Sequence, residues 1–227
     1  FPDEEFDWLI FWGDSTCPLF NWLHQYKAKK GIFLTTDVYD WDNMKKLDVI
    51  FAESQPIVDS IKEKGLNVIK AFGTDTDFYD PAFNYDKKTI GYFYPATFSP
   101  WKKQSTIAYL GNKLFCVGTV QPDGYAELSK CKGMGVQIEI GYFPAEKIRQ
   151  YYRRAKRVII PAVHGSERTV LESFSMGIVP EVTNLDNIRA RSYIEEYKKS
   201  GLTARDFVIT NYSHVKYAEK ILEAFES

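Results

Sequence analysis

Short runs of β-branched and aromatic residues alternate with helix-period segments from one end of the chain to the other. The runs at 6–12, 31–35, 48–52, 67–71, 88–94, 113–118, 136–140, 157–161, 178–182 and 206–210 read as strands. Between several of them apolar positions recur every three to four residues, the period of a helix with one buried face. The segment 56–64 has Pro56 at its start and Gly65 just past its end, the usual helix start and stop signals. In 145–156, Ile148, Tyr151 or Tyr152, and Ala155 share a face; in 215–225, Val215, Ala218, Leu222 and Phe225 do so behind Ser213 as N-cap. Strands alternating with helices predict parallel sheets covered on both faces, the doubly wound α/β class. The polar stretch 75–88 has no hydrophobic period, so the chain is expected to divide there, into a small unit 1–82 and a larger unit 83–227 that includes the terminal helix.

Composition narrows the partners. With 44% hydrophobic and 26% charged residues the chain has no disorder signature, and its net charge of −1 argues against nucleic acid or an anionic membrane as the main partner. The basic stretch 149–157 already fits the exposed side of its own amphipathic helix. Cys17, Cys116 and Cys131 lie far apart without paired spacing, so neither a zinc site nor a disulfide framework is suggested and a reducing cytoplasm is the expected setting. The start, Phe1-Pro2-Asp3-Glu4-Glu5, is acidic rather than signal-like, and no apolar stretch approaches the roughly 20 residues that span a bilayer; peripheral membrane contact stays open.

One run carries most of the chemistry, from Val158 through Pro161, His164, Gly165, Ser166, Glu167, Arg168, Thr169, Val170 and Glu172 to Gly177. It reads as a buried strand, a polar turn and a helix whose unpaired first N–H groups and dipole converge on one point, a natural place for a phosphate. Arg168 and Thr169 would present backbone N–H groups to it. Glu172, one turn in, could accept from the hydroxyls of a ribose, or form an ordinary i, i+4 surface pair with Arg168. His164 could act on a proton or a sugar, or be merely exposed. The aromatic loop 91–103 leaves a strand and ends in Lys102 and Lys103, placed to neutralise a diphosphate if not simply solvated. Asp37 and Asp40 follow another strand and are either catalytic or helix caps. Asp75 and Asp77 alternate like calcium ligands, yet the spacing fits a structural turn better than an EF-hand.

Taken in order, these segments resemble the family 4 glycosyltransferases of the GT-B fold. The carriers are Leu47 to Ser54 as a strand ending in serine, Ala71 to Phe78 as the interdomain turn, Pro100-Trp101-Lys102 as the lysine signal, Phe115 to Gly118, the loop Gly141-Tyr142-Phe143 that meets the nucleobase, and the run ending in Glu172. The resemblance covers roughly residues 6 to 185. It implies two Rossmann-like units facing across a cleft, the N-terminal one reduced, and transfer of a hexose from a nucleoside diphosphate sugar to an acceptor hydroxyl with retention. The acceptor would be a glycan, lipid or protein. No cofactor or metal is implied. By the same resemblance Lys102, His164 and Asp37 are the catalytic positions. Glu172, Arg168, Thr169, Val170, Lys103, Gly165, Tyr142 and Phe143 would bind the donor. Three departures stand out: His164 replaces an acid, Tyr92 stands where an arginine partners the lysine, and Asp37 stands near an expected histidine. The family's further N-terminal strands and glycine-rich loop have no counterpart before residue 6, so the acceptor side is expected to be abbreviated or incomplete. A non-catalytic nucleotide or glycan binding module on the same scaffold is the alternative.

Overall fold

A computed structural model describes residues 6–35, 38–81 and 87–226. The chain forms two compact units, one holding the chain up to Phe72 together with the segment from Val215 onward, the other spanning Gly73–His214.

The first unit is a parallel sheet of β1 (Trp8–Gly13), β2 (Lys29–Leu34), β3 (Val49–Ala52) and β4 (Val68–Lys70), in that order. All four residues of β3 are buried, as expected of a central parallel strand covered on both faces. Alternation sends Ile50 and Ala52 to one side, where Phe20, Leu34, Met44 of α1 (Trp41–Met44) and Ile57, Val58 and Ile61 of α2 (Gln55–Lys62) form a core. Val49 and Phe51 go to the other side and meet Ala71 and Ala224, with Tyr217, Ile221 and Phe225 packed around them. These last four residues lie on α8 (His214–Glu226). The terminal helix, expected in the second unit, is therefore the lid of the first. Its buried face is also offset from the expected one, because Val215 and Leu222 are exposed while Ala224 is buried.

The second unit is a parallel five-stranded sheet of β5 (Ile90–Pro95), β6 (Leu114–Gly118), β7 (Gln137–Ile140), β8 (Ala155–Ile160) and β9 (Glu181–Val182), ordered β7-β6-β5-β8-β9. Helices α3 (Tyr125–Gly133), α4 (Ala145–Arg154), α5 (Glu167–Ser175), α6 (Ile188–Ser200) and α7 (Ala204–Tyr212) complete it. Residues 206–210, read as a strand from Val208-Ile209-Thr210, lie inside α7. The Thr203 hydroxyl accepts from the Asp206 N–H at 3.2 Å and donates to the Asp206 carboxylate at 2.7 Å, an N-cap that starts a helix against the local β propensity.

The two sheets differ in one respect that bears on function. In the first the strands follow chain order. In the second the chain starts at β5, moves outward through β6 and β7, then returns to the other side of β5 for β8 and β9. That reversal between β5 and β8 opens a crevice outside their carboxyl ends, where open α/β sheets bind ligands.

Candidate functional site

The crevice is walled by the loop after β5 and the turn after β8. Val163 N–H donates to Trp101 O at 2.9 Å, and the Trp101 and His164 rings pack with centroids 5.2 Å apart, so the two loops are joined side by side. The join carries Lys102 across: its Nζ lies 3.3 Å from Ser166 Oγ and 3.4 Å from His164 O. A Cβ placed on Gly165 would stand 2.9 Å from that ammonium, so Lys102 sits directly over the glycine. The next residue, Lys103, has a left-handed backbone, with φ 52°.

Gly165 and Ser166 have φ of 74° and 75°, two consecutive residues in the left-handed region. Glycine adopts it freely; serine is strained there by about 1–2 kcal/mol, a strain that persists only where surroundings enforce it. The surroundings are specific. Asn187, 1% exposed, donates from Nδ2 to Gly165 O at 3.0 Å and to Ala162 O at 3.1 Å, while its Oδ1 accepts from Ala190 N–H at 3.0 Å and caps α6. The fully buried Tyr94 directs its hydroxyl at Ser166 Oγ, 3.4 Å away.

After this turn α5 begins at Glu167, so the Glu167, Arg168 and Thr169 N–H groups fall in the first turn and have no partner within the helix. Val170 differs: its N–H is bonded to Ser166 O at 3.1 Å and its side chain is fully buried, so it closes the helical turn. The Glu167 carboxylate would oppose an anion here, but it is buried against the Arg189 guanidinium in an ion pair, which cancels its charge. The Arg168 side chain is exposed.

Glu172 points inward and is not the surface partner of Arg168. It is 8% exposed and accepts from the Tyr152 hydroxyl at 3.0 Å, with the Tyr79 hydroxyl on the same carboxyl group. Burial pushes its pKa up to about 7, against smaller lowering by the two tyrosines and Arg168. Burial, with Glu172 adding to it, drives the Tyr79 and Tyr152 hydroxyls well above their ordinary range, so both remain donors.

Beside the crevice a cavity of about 210 Å³ lies over the carboxyl ends of β5, β6 and β7, lined by Ala96, Thr97, Gly118, Gly141, Tyr142 and Phe143 among others. Gly118 is required: a Cβ there would stand 2.4 Å from Ala96 O. The Thr97 and Thr119 hydroxyls are 3.0 Å apart. Phe143 is backed by the Lys147 ammonium, 4.4 Å from its ring centroid, and Tyr142 is 92% exposed. Among the described residues no charged side chain lines this cavity.

Thus Lys102, Gly165, His164 and the start of α5 lie together, with Tyr142 and Phe143 on the adjoining cavity. Tyr92, expected near the lysine, instead receives a hydrogen bond from Arg157 at 3.0 Å on the neighbouring strand. Asp37 lies outside the described residues. Asp40 caps α1, accepting from the Asp42 and Asn43 N–H groups. Asp75 accepts from Asp77 and Phe78 N–H, a turn rather than a metal loop. Among the described residues no group of three or more His, Cys, Asp or Glu is placed to hold a metal ion, the three cysteines are free, and no helix is long and apolar enough to cross a membrane. The sequence reading missed Asn187, Tyr79 and Tyr152. Asn187 alone carried a signal, as an N-cap residue before a helical run.

No protein-family model and no curated protein matches the chain. Solved structures do. Anabaena HepE in complex with UDP and glucose matches over 88% of this chain and 72% of its own, at 16% identity and a TM-score of 0.59. TarM matches over 96% of this chain and 55% of its own, at 14% identity and a TM-score of 0.63. AviGT4, a glycosyltransferase involved in avilamycin A biosynthesis, matches over 96% of both, at 11% identity and a TM-score of 0.54. With its two parallel sheets, the chain has the α/β architecture of GT-B-like Rossmann units.

Proposed function

We propose that this chain is a retaining, family 4-like glycosyltransferase that moves a hexose from a nucleoside diphosphate sugar to an acceptor hydroxyl. The observation that carries the reading is the position of Lys102, whose ammonium stands over Gly165 at the start of α5, in the crevice where the strand order reverses. A diphosphate there would meet a cation and the N–H groups of Arg168 and Thr169, all fixed before the reaction begins. Such preorganised charge acts most strongly as the sugar–phosphate bond breaks and negative charge grows on the leaving group. On this reading no metal is needed for that charge. The uncharged cavity beside it would take the base, with Tyr142 and Phe143 at its rim. Glu172 would take the ribose in its ionised form, above about pH 7: a carboxylate has about four acceptor positions and the two tyrosines occupy two.

The donor is tested first as a UDP-sugar, since HepE was crystallised with UDP and glucose. A cytoplasmic setting, and a glycan, lipid or protein acceptor, complete the proposal. The second reading, a binding module without turnover, is favoured by His164, which replaces an acid and packs on Trp101 instead of standing free. Calorimetric titration with UDP, GDP and ADP, followed by hydrolysis and transfer assays with the matching sugar donors, separates the two. Turnover selects the enzyme, and binding without turnover selects the module. Lys102→Ala is expected to lower turnover by about 10²-fold while shifting the melting temperature little; an unchanged rate would remove Lys102 from the machinery.

A further inference from the structure

We propose that Asn187 is a positioning residue for the phosphate cradle, holding the Gly165–Ser166 turn in the conformation that presents the first N–H groups of α5 to a diphosphate. This rests on the nucleotide-sugar reading above and extends it to a residue on a different loop.

Capping α6 does not by itself require asparagine. Serine, threonine or aspartate would serve as N-cap about as well. What only an amide supplies at this position is an acceptor for the Ala190 N–H and two donors, and both donors are used, one on Ala162 O and one on Gly165 O. Aspartate would set a carboxylate against those two carbonyl oxygens. The bonds bridge 25 and 22 residues of chain, so they tie the turn after β8 to the loop after β9. The tied turn is the strained one, with two left-handed residues of which one is serine. At 1% exposure water cannot substitute for the amide easily. If the tie is lost, Gly165 and Ser166 are free to relax toward ordinary backbone angles. The α5 N–H groups and the Lys102 contacts with His164 O and Ser166 Oγ then lose their common aim.

The test is a pair of variants that keep the cap but lose both amide donors, Asn187→Ser and Asn187→Thr. For wild type and each variant, calorimetry measures affinity for whichever of UDP, GDP and ADP binds wild type best, and for the corresponding nucleoside. A positioning role predicts that diphosphate affinity falls about tenfold while nucleoside affinity is kept, so that their ratio changes. A purely structural role would weaken both together, or neither, and that unchanged ratio in a variant that still melts cooperatively overturns the proposal. If one variant fails to fold, the other decides. Should wild type bind none of the three nucleotides, the nucleotide-sugar reading fails and the role of Asn187 falls with it.

Discussion

Glu172 shows how much a single side chain depends on what surrounds it. Its spacing from Arg168 allows an exposed ion pair worth a few tenths of a kcal/mol. In the fold the carboxyl is instead enclosed by Tyr152 from α4 and by Tyr79. The folded state therefore holds the proton up to about pH 7, whereas the unfolded chain releases it near the ordinary value of 4.5. Between those values the folded form binds more protons, so this group's contribution to stability declines as pH rises from 4.5 through 7. Glu172→Gln cannot ionise. Melting temperatures of both proteins from pH 5 to 8 are expected to show the variant gaining on wild type as pH increases; parallel curves would mean Glu172 is ionised throughout. Lys102 and Gly165 were legible because a strand, a turn and a helix start are written within a few residues of one another. The partners of Glu172 were not, since Tyr152 and Tyr79 lie 20 and 93 positions away and nothing local marks them.

At the level of elements, the strong signals were those of periodicity and the weak ones those of competing propensity. Strands β1 to β8 fall where apolar runs predicted them. Residues 206–210 do not, because Val208, Ile209 and Thr210 are β-branched while the Thr203 N-cap upstream starts a helix. Thr203→Ala should accordingly cost about 1 kcal/mol in urea unfolding, with Thr203→Ser recovering most of it. If alanine proves neutral, α7 is held by its buried residues Phe207, Val208 and Tyr212 alone. The face of α8 was misjudged for a related reason. A short helix with apolar residues on more than one side offers several acceptable stripes, and only the sheet beneath it selects Tyr217, Ile221, Ala224 and Phe225.

For the whole molecule, the chain after His214 completes the core of the first unit. Truncation there should strip one face of the first sheet, leaving Val49, Phe51 and Ala71 uncovered. The shortened chain is expected to bind a hydrophobic dye strongly and to be cut by protease within residues 6–72, whereas full-length protein is not. Equal dye binding by the two would show that α8 is dispensable. The sequence by itself determined the α/β class, the positions of most strands and the strand–turn–helix run with Lys102 as a cationic candidate, because these follow from local period and from residue types adjacent in the chain. Only the tertiary structure decided that β8 returns to the far side of β5, that α8 closes the first unit and that Asn187 clasps the Gly165–Ser166 turn. Strand order, the choice among apolar helix faces and hydrogen bonds across 20 or more residues are settled by which surfaces can be buried together, and that information is spread over the whole chain.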